Sequence, residues 1–460
     1  MMNNELKMQN EKSIPKGFKL TEMGVIPEDW CCIQAKELIN FLGGFAFSSK
    51  SAKDSGVRWL KIANVGLNEI KWDAEAFLPQ SYLSTYQDYE LKHGDVVMAL
   101  TRPILGCRLK IAQLKKSDVP SLLNQRVAKL TPKIEGCLPF IYHLVQSSDF
   151  IAAMNLAMAG SDPPNIGVHS LGEILIRAPF AVKEQAAIAD ILSDTDILIT
   201  EIEQLIAKKE VIKTATMQQL LTGRTRLPQF AKHPDGTRKG YKTSELGRVP
   251  EDWTVLTYGE IFDFLSTSTN ARSDLSHDGE YGYIHYGDIH TKWNNKLDAS
   301  AVELPKISRK LVCSSFLENG DVIMADASED YNGIGKSIEI CNISKKKIVA
   351  GLHTYLLRDK YKQLSDGYRG YLHSNANVKK IIEQLATGMK VFGISKNNIL
   401  SVPVPVPSKQ EQTAIATILS DMDAELEALE RKLAKVRDIK QGMMQQLLTG
   451  RIRLPVDHQL

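Results

Sequence analysis

The chain has 460 residues, which is too long for a single hydrophobic core and predicts two or three domains. Its hydrophobic content of 43% and charged content of 24% are typical of a globular protein and argue against a disordered or membrane-embedded chain. The formal net charge is only +3, so the sequence excludes a general electrostatic attraction to nucleic acid, and any such surface must be a local patch.

Residues 1–18 are polar and are expected to form a flexible N-terminal tail. They lack the apolar core of a signal peptide, and no apolar run is long enough to cross a membrane. The six cysteines show neither a CxxC pair nor metal-ligand spacing, which favours free thiols in a reducing compartment and no bound metal. We therefore expect a cytoplasmic protein.

A short pattern, Gly-x-x-Pro-Glu-Asp-Trp, occurs twice. The first copy lies in residues 19–30 and ends at Trp30, and the second lies in residues 242–253 and ends at Trp253. Glycine and proline favour a turn, and an indole ring anchors the segment that follows it. The pattern therefore predicts the beginning of two similar domains, each with a buried tryptophan.

Strand-like alternation and frequent turn signals follow each tryptophan for about 150 residues. Three landmarks recur in the same order: a strand, a Gly-Asp turn that leads into a buried strand, and a final strand that contains proline. They lie at 58–65, 93–99 and 175–179 in the first domain and at 283–289, 319–325 and 402–407 in the second. The sequences between them differ, which suggests one scaffold with two binding targets.

A long helix follows each domain. Residues 183–223 and 409–450 align with a constant shift of 227 and both end in Met-Gln-Gln-Leu-Leu-Thr-Gly. Apolar side chains recur with helical spacing, and the terminal glycine is a helix stop signal. We expect a coiled-coil interface formed by Ile188, Leu192, Ile199, Ile202, Ile206, Ile415, Leu419, Leu426, Leu429 and Leu433.

Charge indicates how these helices pair. The first half of each is acidic, as at Asp196 and Asp423, and the second half is more basic, as at Lys213 and Lys440. An antiparallel pair places each acidic half beside the basic half of the other helix, whereas a parallel pair places acid against acid. We therefore predict an antiparallel intramolecular coiled coil; the alternative is two helices that each pack only on their own domain.

The predicted fold is α+β: two mixed α/β domains, each followed by a long helix, related as a pseudo-twofold internal repeat. Two reading domains related in this way would suit a split DNA sequence, because duplex DNA has local twofold symmetry. The predicted segments are a tail at 1–18, a first domain at 19–182, a central helix at 183–223, a connector at 224–241, a second domain at 242–408, a distal helix at 409–450 and a C-terminal tail at 451–460.

Together these features resemble the specificity subunit of Type I restriction-modification systems. The resemblance covers almost the whole chain and rests on the order and duplication of the tryptophan openings, the Gly-Asp strands and the Ile-Leu-Ser-Asp helices. It implies two target-recognition domains that each read one half of a bipartite double-stranded DNA site. It also implies helices that set the spacing and dock two methylation subunits.

The resemblance further implies that the chain is non-catalytic and binds no cofactor of its own. The methylation subunits would bring S-adenosylmethionine and methylate adenine, and added restriction subunits would form an ATP-dependent endonuclease. Two alternatives are a self-contained DNA adenine methyltransferase and a coiled-coil adaptor without a DNA role.

One loop bears on the first alternative. Residues 161–165, Ser-Asp-Pro-Pro-Asn, resemble the Asp/Asn-Pro-Pro-aromatic loop of DNA amino-methyltransferases, but Asn165 stands where the aromatic ring belongs. The loop occupies the place of residues 388–393 in the second domain. We interpret it as a proline-stiffened loop before the final strand.

DNA-binding candidates are basic or polar residues grouped in corresponding loops of the two domains. Arg and Lys suit phosphates, and Arg, Asn and Lys also suit base edges. For each candidate taken alone a solvated surface group is the more common explanation, and only the grouping in corresponding loops favours DNA contact. The candidates are Lys50, Lys53, Arg58, Arg102, Arg108, Lys110, Tyr331, Asn332, Lys336, Lys345, Lys346 and Lys347.

Overall fold

The computed structural model describes residues 14–133 and 136–455. Most of the predicted N-terminal tail and the last five residues of the predicted C-terminal tail lie outside these ranges. The described residues form two compact units. The first unit contains those up to Glu203 and those from Lys432 onward, and the second unit contains Gln204–Arg431. Each unit holds one mixed domain and parts of both long helices, which confirms the predicted α+β class.

The domain of the first unit is built on two four-stranded sheets. The antiparallel sheet has the order Ile111–Gln113, Val96–Ala99, Val127–Pro132, Ile39–Gly43. The mixed sheet has the order Phe77–Leu78, Val57–Leu60, Ser121–Leu123, Glu90–Leu91. Three antiparallel pairs complete the strands: Phe18–Thr21 with Gly24–Pro27, Trp30–Gln34 with Leu175–Pro179, and Ile104–Leu105 with Arg108–Leu109.

Short helices cover the sheets of the first unit. The α-helices of the domain are Ala35–Leu38, Tyr82–Thr85, Leu138–Leu144, Ser148–Ala157 and Val168–Glu173. Single 3-10 turns lie at Ser49–Ser51, Gln87–Tyr89 and Lys116–Asp118.

The second unit repeats this plan with different details. Its larger sheet has the order Phe262–Leu265, Thr354–Asp359, Val322–Ala325, Ser337–Cys341, Lys296–Asp298. Its smaller sheet has the order Lys306–Ile307, Tyr281–Ile284, Ile348–Ala350. The remaining pairs are Tyr241–Ser244 with Gly247–Pro250, Thr254–Thr257 with Pro403–Val406, and Ala327–Ser328 with Phe392–Gly393.

The second domain has four α-helices among its described residues, and one of them, Tyr286–Thr291, follows a strand whose counterpart in the first domain is not directly followed by a helix. The α-helices are Tyr258–Ile261, Tyr286–Thr291, Ala376–Leu385 and Lys396–Leu400. The 3-10 segments are Arg272–Asp274, Arg309–Leu311, Tyr331–Gly333 and Arg369–Ser374.

The tryptophan and Gly-Asp landmarks have the predicted structural roles, but the strands predicted at 58–65 and 283–289 are shorter: they end at Leu60 and Ile284, and the second is followed by the helix Tyr286–Thr291. Trp30 is fully buried and Trp253 nearly so, and each begins or directly precedes a strand that pairs with the proline-containing strand at the end of its domain. Gly94 and Gly320 have φ of 89° and 88°, a backbone conformation that favours glycine, and each leads into a fully buried strand. The predicted turn before each tryptophan also contains a strand, because its glycine and proline bound the second strand of a hairpin.

The central helix spans Val182–Leu221 and the distal helix spans Lys409–Leu447. In the first unit, Asp196 pairs with Lys440 at 2.6 Å and Glu203 pairs with Arg437. The partner number falls as the residue number rises, so the helices run antiparallel, as predicted.

The second unit has the matching pairs. Lys213 pairs with Asp423, and Lys209 pairs with Glu425 at 2.7 Å. The Lys213–Asp423 pair is the repeat equivalent of the Lys440–Asp196 pair, since both residues are shifted by 227 (213 + 227 = 440 and 196 + 227 = 423). The acidic half of each helix therefore meets the basic half of the other.

The predicted coiled-coil residues fall into two groups. Ile188 and Leu192 belong to the core of the first domain, and Ile415 and Leu419 belong to the core of the second. The six residues in the middle of the helices are buried or half-buried outside those cores: Ile199, Ile202, Ile206, Leu426, Leu429 and Leu433. Helix pairing and domain packing therefore use successive parts of one apolar stripe.

Candidate nucleic-acid interface

A clamp of four side chains joins the first domain to both long helices. The indole Nε1 of Trp30 donates to Glu184, at the start of the central helix, at 3.3 Å. Arg453, beyond the end of the distal helix, donates to both carboxylate oxygens of Glu184 and both of Asp29, with Nη2 to Oε2 at 2.9 Å and Nη1 to Oδ1 at 2.8 Å. Two bidentate contacts fix the guanidinium plane.

The second unit has the same clamp. Trp253 donates to Glu411 at 3.0 Å, and Arg226, beyond the end of the central helix, donates to both oxygens of Glu411 and both of Asp252. Burial opposes ionisation of Asp252, but hydrogen bonds from Arg226 and Lys239 outweigh it and lower its pKa to about 2.

Glycine makes each clamp possible. Gly223 and Gly450 end the Leu-Leu-Thr-Gly motifs with φ of 68° and 71°. A Cβ at Gly223 would lie 2.5 Å from Pro250, and one at Gly450 would lie 2.6 Å from Pro27. Each helix therefore ends against the hairpin that precedes the clamp tryptophan, and a side chain at the glycine has no room.

The repeat is longer than the sequence analysis assumed. Leu-Thr-Gly-Arg-x-Arg-Leu-Pro occurs at residues 221–228 and at residues 448–455, with the same shift of 227. The predicted helices ended at the glycines, and the residues after them were predicted to form a connector and a tail. Arg226 and Arg453 were missed for that reason, although the doubled Arg-x-Arg-Leu-Pro was a visible signal.

Six of the predicted DNA-binding residues are exposed and have no side-chain partner within residues 14–133 and 136–455. They are Lys50, Lys53, Arg102, Arg108, Asn332 and Lys345. Arg102 has a positive φ of 45°, and its N–H donates to the carbonyl oxygen of Pro164 at 2.7 Å. These side chains are available to phosphates, and their role stays a prediction.

The other predicted residues have structural partners. Lys110 donates to the carbonyl oxygen of Ile62 at 3.1 Å, and Lys336 to that of His290 at 3.0 Å; burial lowers the pKa of both lysines. The remaining four are engaged as follows: Arg58 with Glu75 and the ring of Trp72, Tyr331 with the carbonyl of Glu383, Lys346 with the carbonyl of Ala299, and Lys347 near the rings of Tyr281 and Phe316.

The proline loop of the first domain, residues 161–165, ends at a small hydrogen-bonded group that we call the backbone frame. The frame consists of Leu100, Thr101, Arg126, Asn165 and Ile166. The N–H of Leu100 donates to the carbonyl oxygen of Arg126 at 2.9 Å, and the N–H of Ile166 donates to that of Leu100 at 2.9 Å. On this frame, Nη1 of Arg126 donates to Oγ1 of Thr101 at 3.1 Å, and Thr101 donates to Oδ1 of Asn165 at 2.7 Å. Asn165 therefore orients neighbouring side chains, which supports the structural interpretation of the loop.

The second domain has the same frame. The N–H of Asp326 donates to the carbonyl oxygen of His353 at 3.1 Å, and the N–H of Ile394 donates to that of Asp326 at 3.0 Å. Ala327 pairs with Gly393 as Thr101 pairs with Asn165. Asp326 and His353 also line a cleft that extends to the end of the Phe262–Leu265 strand. The side chains differ at four of the five equivalent positions, Leu100/Asp326, Thr101/Ala327, Arg126/His353 and Asn165/Gly393, and are the same at Ile166/Ile394.

Two segments of the chain, residues 27–214 and 250–437, each match the family described as the Type I restriction modification DNA specificity domain. The chain belongs to this family. Each matched segment contains one domain and most of the long helix that follows it, so the internal repeat is a duplication of the family's own unit.

Several family members are similar in sequence. The Type I restriction enzyme MjaVIII specificity subunit of Methanocaldococcus jannaschii is 38% identical over 213 residues, which are 46% of this chain and 50% of that protein. The EcoAI specificity subunit of Escherichia coli is 31% identical over 217 residues, 47% of this chain and 36% of that protein. The chain thus spans half or less of the length of these two relatives.

Other relatives match along nearly the whole chain. The putative MjaX specificity subunit of Methanocaldococcus jannaschii is 23% identical over 454 residues, 95% of this chain and 97% of that protein. A crystal structure of the Type I restriction-modification system S subunit from M. genitalium aligns with a TM-score of 0.54 at 15% identity, over 93% of this chain and 97% of that one. A structure from a study of complex assembly in a type I R-M system gives 0.52 at 16% identity, over 93% and 99%. These structures share the fold of the family.

The described part of the chain shows neither a membrane-spanning helix nor a metal-binding cluster. No helix there combines the length and apolarity needed to cross a membrane. Within residues 14–133 and 136–455, no group of three or more His, Cys, Asp or Glu side chains is arranged to hold a metal ion. Two histidines near the Tyr281–Ile284 strand make structural hydrogen bonds: His285 accepts from the N–H of Gly287, and His290 contacts the carbonyl of Ala327.

Proposed function

We propose that this chain is the DNA-sequence-recognition subunit of a Type I restriction-modification complex. Each of its two domains reads one half of a bipartite double-stranded DNA target, and the chain itself carries out no chemistry. The observation that carries the proposal is the pairing of two equivalent clamps with two different sets of exposed side chains. One scaffold built twice, with two surfaces, suits a target with two unlike halves.

The long helices are proposed to dock two methylation subunits. The central helix exposes apolar side chains that its pairing does not cover, among them Ile197 in the first unit and Val211 in the second, which is 70% exposed. Exposed apolar groups along a charged helix favour contact with a partner helix. The methylation subunits would bind S-adenosylmethionine and methylate adenine, and restriction subunits would add ATP-dependent cleavage.

The chain and its methylation subunits should be purified separately and together, with labelled S-adenosylmethionine and genomic DNA lacking methylated adenine. We expect methyl transfer only by the complex, at adenines in a bipartite sequence. Methyl transfer by this chain alone would support the self-contained methyltransferase instead. A complex that forms but shows no sequence-dependent binding would support the adaptor.

The docking surface can be tested separately. Val211→Asp should weaken binding of the methylation subunit in a pull-down or by calorimetry, because it places a charge in an apolar contact. Ala301→Asp, at an exposed alanine of the second domain and outside both long helices, is the control. Equal binding by both variants, with unchanged unfolding temperatures, would exclude this part of the central helix from the contact.

A further inference from the structure

The shared backbone frame is the place where the two domains differ most directly in chemistry. The strand register is the same in both, since Val127 pairs with Ala99 and Thr354 pairs with Ala325. Arg126 and His353 each directly precede the longest strand of their sheet, so they occupy equivalent positions. The frame therefore presents different side chains from the same strand register and the same pair of backbone hydrogen bonds.

The first frame presents hydrogen-bond donors. Arg126 is exposed and uses one of its five N–H groups on Thr101, which fixes the guanidinium while leaving other donors open. Asn165 is also exposed, and its Oδ1 is fixed by the same hydroxyl. An arginine fixed at one nitrogen and open at the others suits the paired acceptors O6 and N7 of guanine.

The second frame presents acceptors. Nδ1 of His353 lies 3.4 Å from Oδ1 of Asp326, a buried oxygen for which the described residues offer no well-aligned hydrogen bond. A proton on Nδ1 faces that carboxylate and leaves Nε2 as an acceptor on a ring that is 52% exposed. His353 also has a φ of 58°, an uncommon conformation that tends to occur at functional positions.

We propose that two pairs of side chains on the shared frame, Arg126 with Asn165 and His353 with Asp326, determine specificity and contact base edges in the two halves of the DNA target. Arg126 and His353 occupy equivalent positions, whereas their partners do not, because Asp326 corresponds to Leu100 and Asn165 to Gly393. Arg126 contacts the acceptor edge of a guanine. His353 and Asp326 contact an exocyclic amino group, which cytosine and adenine both offer in the major groove. This inference rests on the proposed function, because it assumes that each domain reads DNA.

The test uses the full chain in complex with its methylation subunits. Methylated adenines are mapped by sequencing for the wild type, and binding is then measured on duplexes changed at one base pair at a time. Arg126→Ala should reduce discrimination at one base pair of one half-site by roughly 5- to 150-fold and leave the other half-site unchanged. His353→Asn, which tolerates the positive φ, should do the same in the other half-site only.

Matched controls separate base contact from general charge and from misfolding. Lys116→Ala and Lys310→Ala remove exposed cations from the same two domains and should leave discrimination unchanged at every position. Arg126→Lys keeps the charge but lacks the planar fork, so it should relax the same base pair as Arg126→Ala. The intact half-site reports in each case that the variant is folded.

Failure of this inference is distinguishable from failure of the proposed function. A wild-type complex without any bipartite specificity would overturn both. A specific wild-type complex whose Arg126→Ala and His353→Asn variants keep full discrimination would overturn the inference alone. Uniform weakening on all duplexes would overturn it too, because it indicates a phosphate contact.

Discussion

The two clamps make the same contacts in different surroundings. Arg226 is followed by the connector and the second domain, and its side chain is 7% exposed, whereas Arg453 lies beyond the distal helix and its side chain is 35% exposed. The partner carboxylates are equally buried, Glu411 at 2% and Glu184 at 5%. The same hydrogen bonds are thus shielded from water in the second unit and partly exposed to water in the first. The comparison separates the geometry of the clamp, which is repeated, from its dielectric surroundings, which are not.

Loss of the clamp arginine should have the largest effect, and it should be larger in the second unit. Arg226→Ala leaves Glu411 buried without its cation and should cost about 3–5 kcal/mol of unfolding free energy. Arg453→Ala should cost less, because water can reach Glu184 through the more open site. Urea unfolding of both variants measures the difference, and Arg224→Ala, at an exposed arginine two residues from Arg226, is the control.

Equal costs for Arg226→Ala and Arg453→Ala would mean that hydrogen-bond geometry decides the contribution of the clamp and exposure does not. Double replacement with the glutamate, as in Arg226→Ala with Glu411→Gln, should recover part of the stability, since it removes the unpaired buried charge. No recovery would contradict the assignment of the cost to that charge.

The glycines that end the helices should rank next, with equal effects in both units. Gly223→Ala and Gly450→Ala each force a Cβ to within 2.6 Å of a proline and place alanine at a positive φ. The backbone conformation alone costs about 1 kcal/mol, and the steric conflict adds to it. Thermal unfolding should show two similar decreases. Gly442→Ala, at a helical glycine with open space around it, should be neutral or stabilising.

Sequence alone predicted the features that depend on local pattern and on the repeat. Charge along the helices predicted their antiparallel pairing, and the Asp196–Lys440 and Asp423–Lys213 pairs confirm it. The doubled tryptophan predicted two buried anchors at the domain starts. These features were predictable because each depends on residues near one another in sequence or on a direct comparison of two copies.

The remaining features depend on contacts between distant segments. Arg126 and Asn165 meet through Thr101, and His353 meets Asp326, across separations that no local pattern reveals. Nor could sequence show that Lys110 and Lys336 donate to backbone carbonyls, while Arg102 and Arg108 are exposed. The tertiary fold decides which basic side chains bond to the protein itself and which are free. The predicted DNA-binding residues therefore include both bonded and free side chains.

One histidine in each unit, the buried His143 and the half-buried His373, makes stability depend on pH. Burial, with help from nearby lysines, lowers the pKa of both His143 and His373 to about 3. The unfolded chain binds these protons near pH 6.5, but the folded protein does not until about pH 3. Stability should therefore fall as pH drops through this window, by at most about 1.4 kcal/mol per pH unit for each histidine.

Replacement shows which unit carries the pH dependence. His143→Leu removes one titrating group from the first unit, so the unfolding free energy should fall less steeply as the pH is lowered (a flatter acid limb). The variant also loses the contact between Nε2 of His143 and Ser193 at 3.0 Å. His373→Leu should likewise flatten the acid limb in the second unit. An acid limb that keeps its slope in both variants would assign the acid sensitivity to carboxylates such as Asp252 instead. The stabilisation by Asp252 is lost between about pH 4 and pH 2, so it overlaps only the lowest part of the histidine window, and the range from about pH 6.5 to pH 4 reports on the histidines.

The smallest expected effects compare free and engaged cations in DNA binding. Arg102→Ala and Arg108→Ala, in the first unit, should each reduce the slope of log K against log salt by about 0.9 if each neutralises one phosphate. Lys336→Met, in the second unit, should leave the slope unchanged, because its Nζ is directed to the carbonyl oxygen of His290. The measurement is DNA binding by the assembled complex between low and moderate salt. An unchanged slope for Arg102→Ala and Arg108→Ala, or a changed one for Lys336→Met, would show that exposure in the free chain does not identify the phosphate contacts and that binding rearranges these loops.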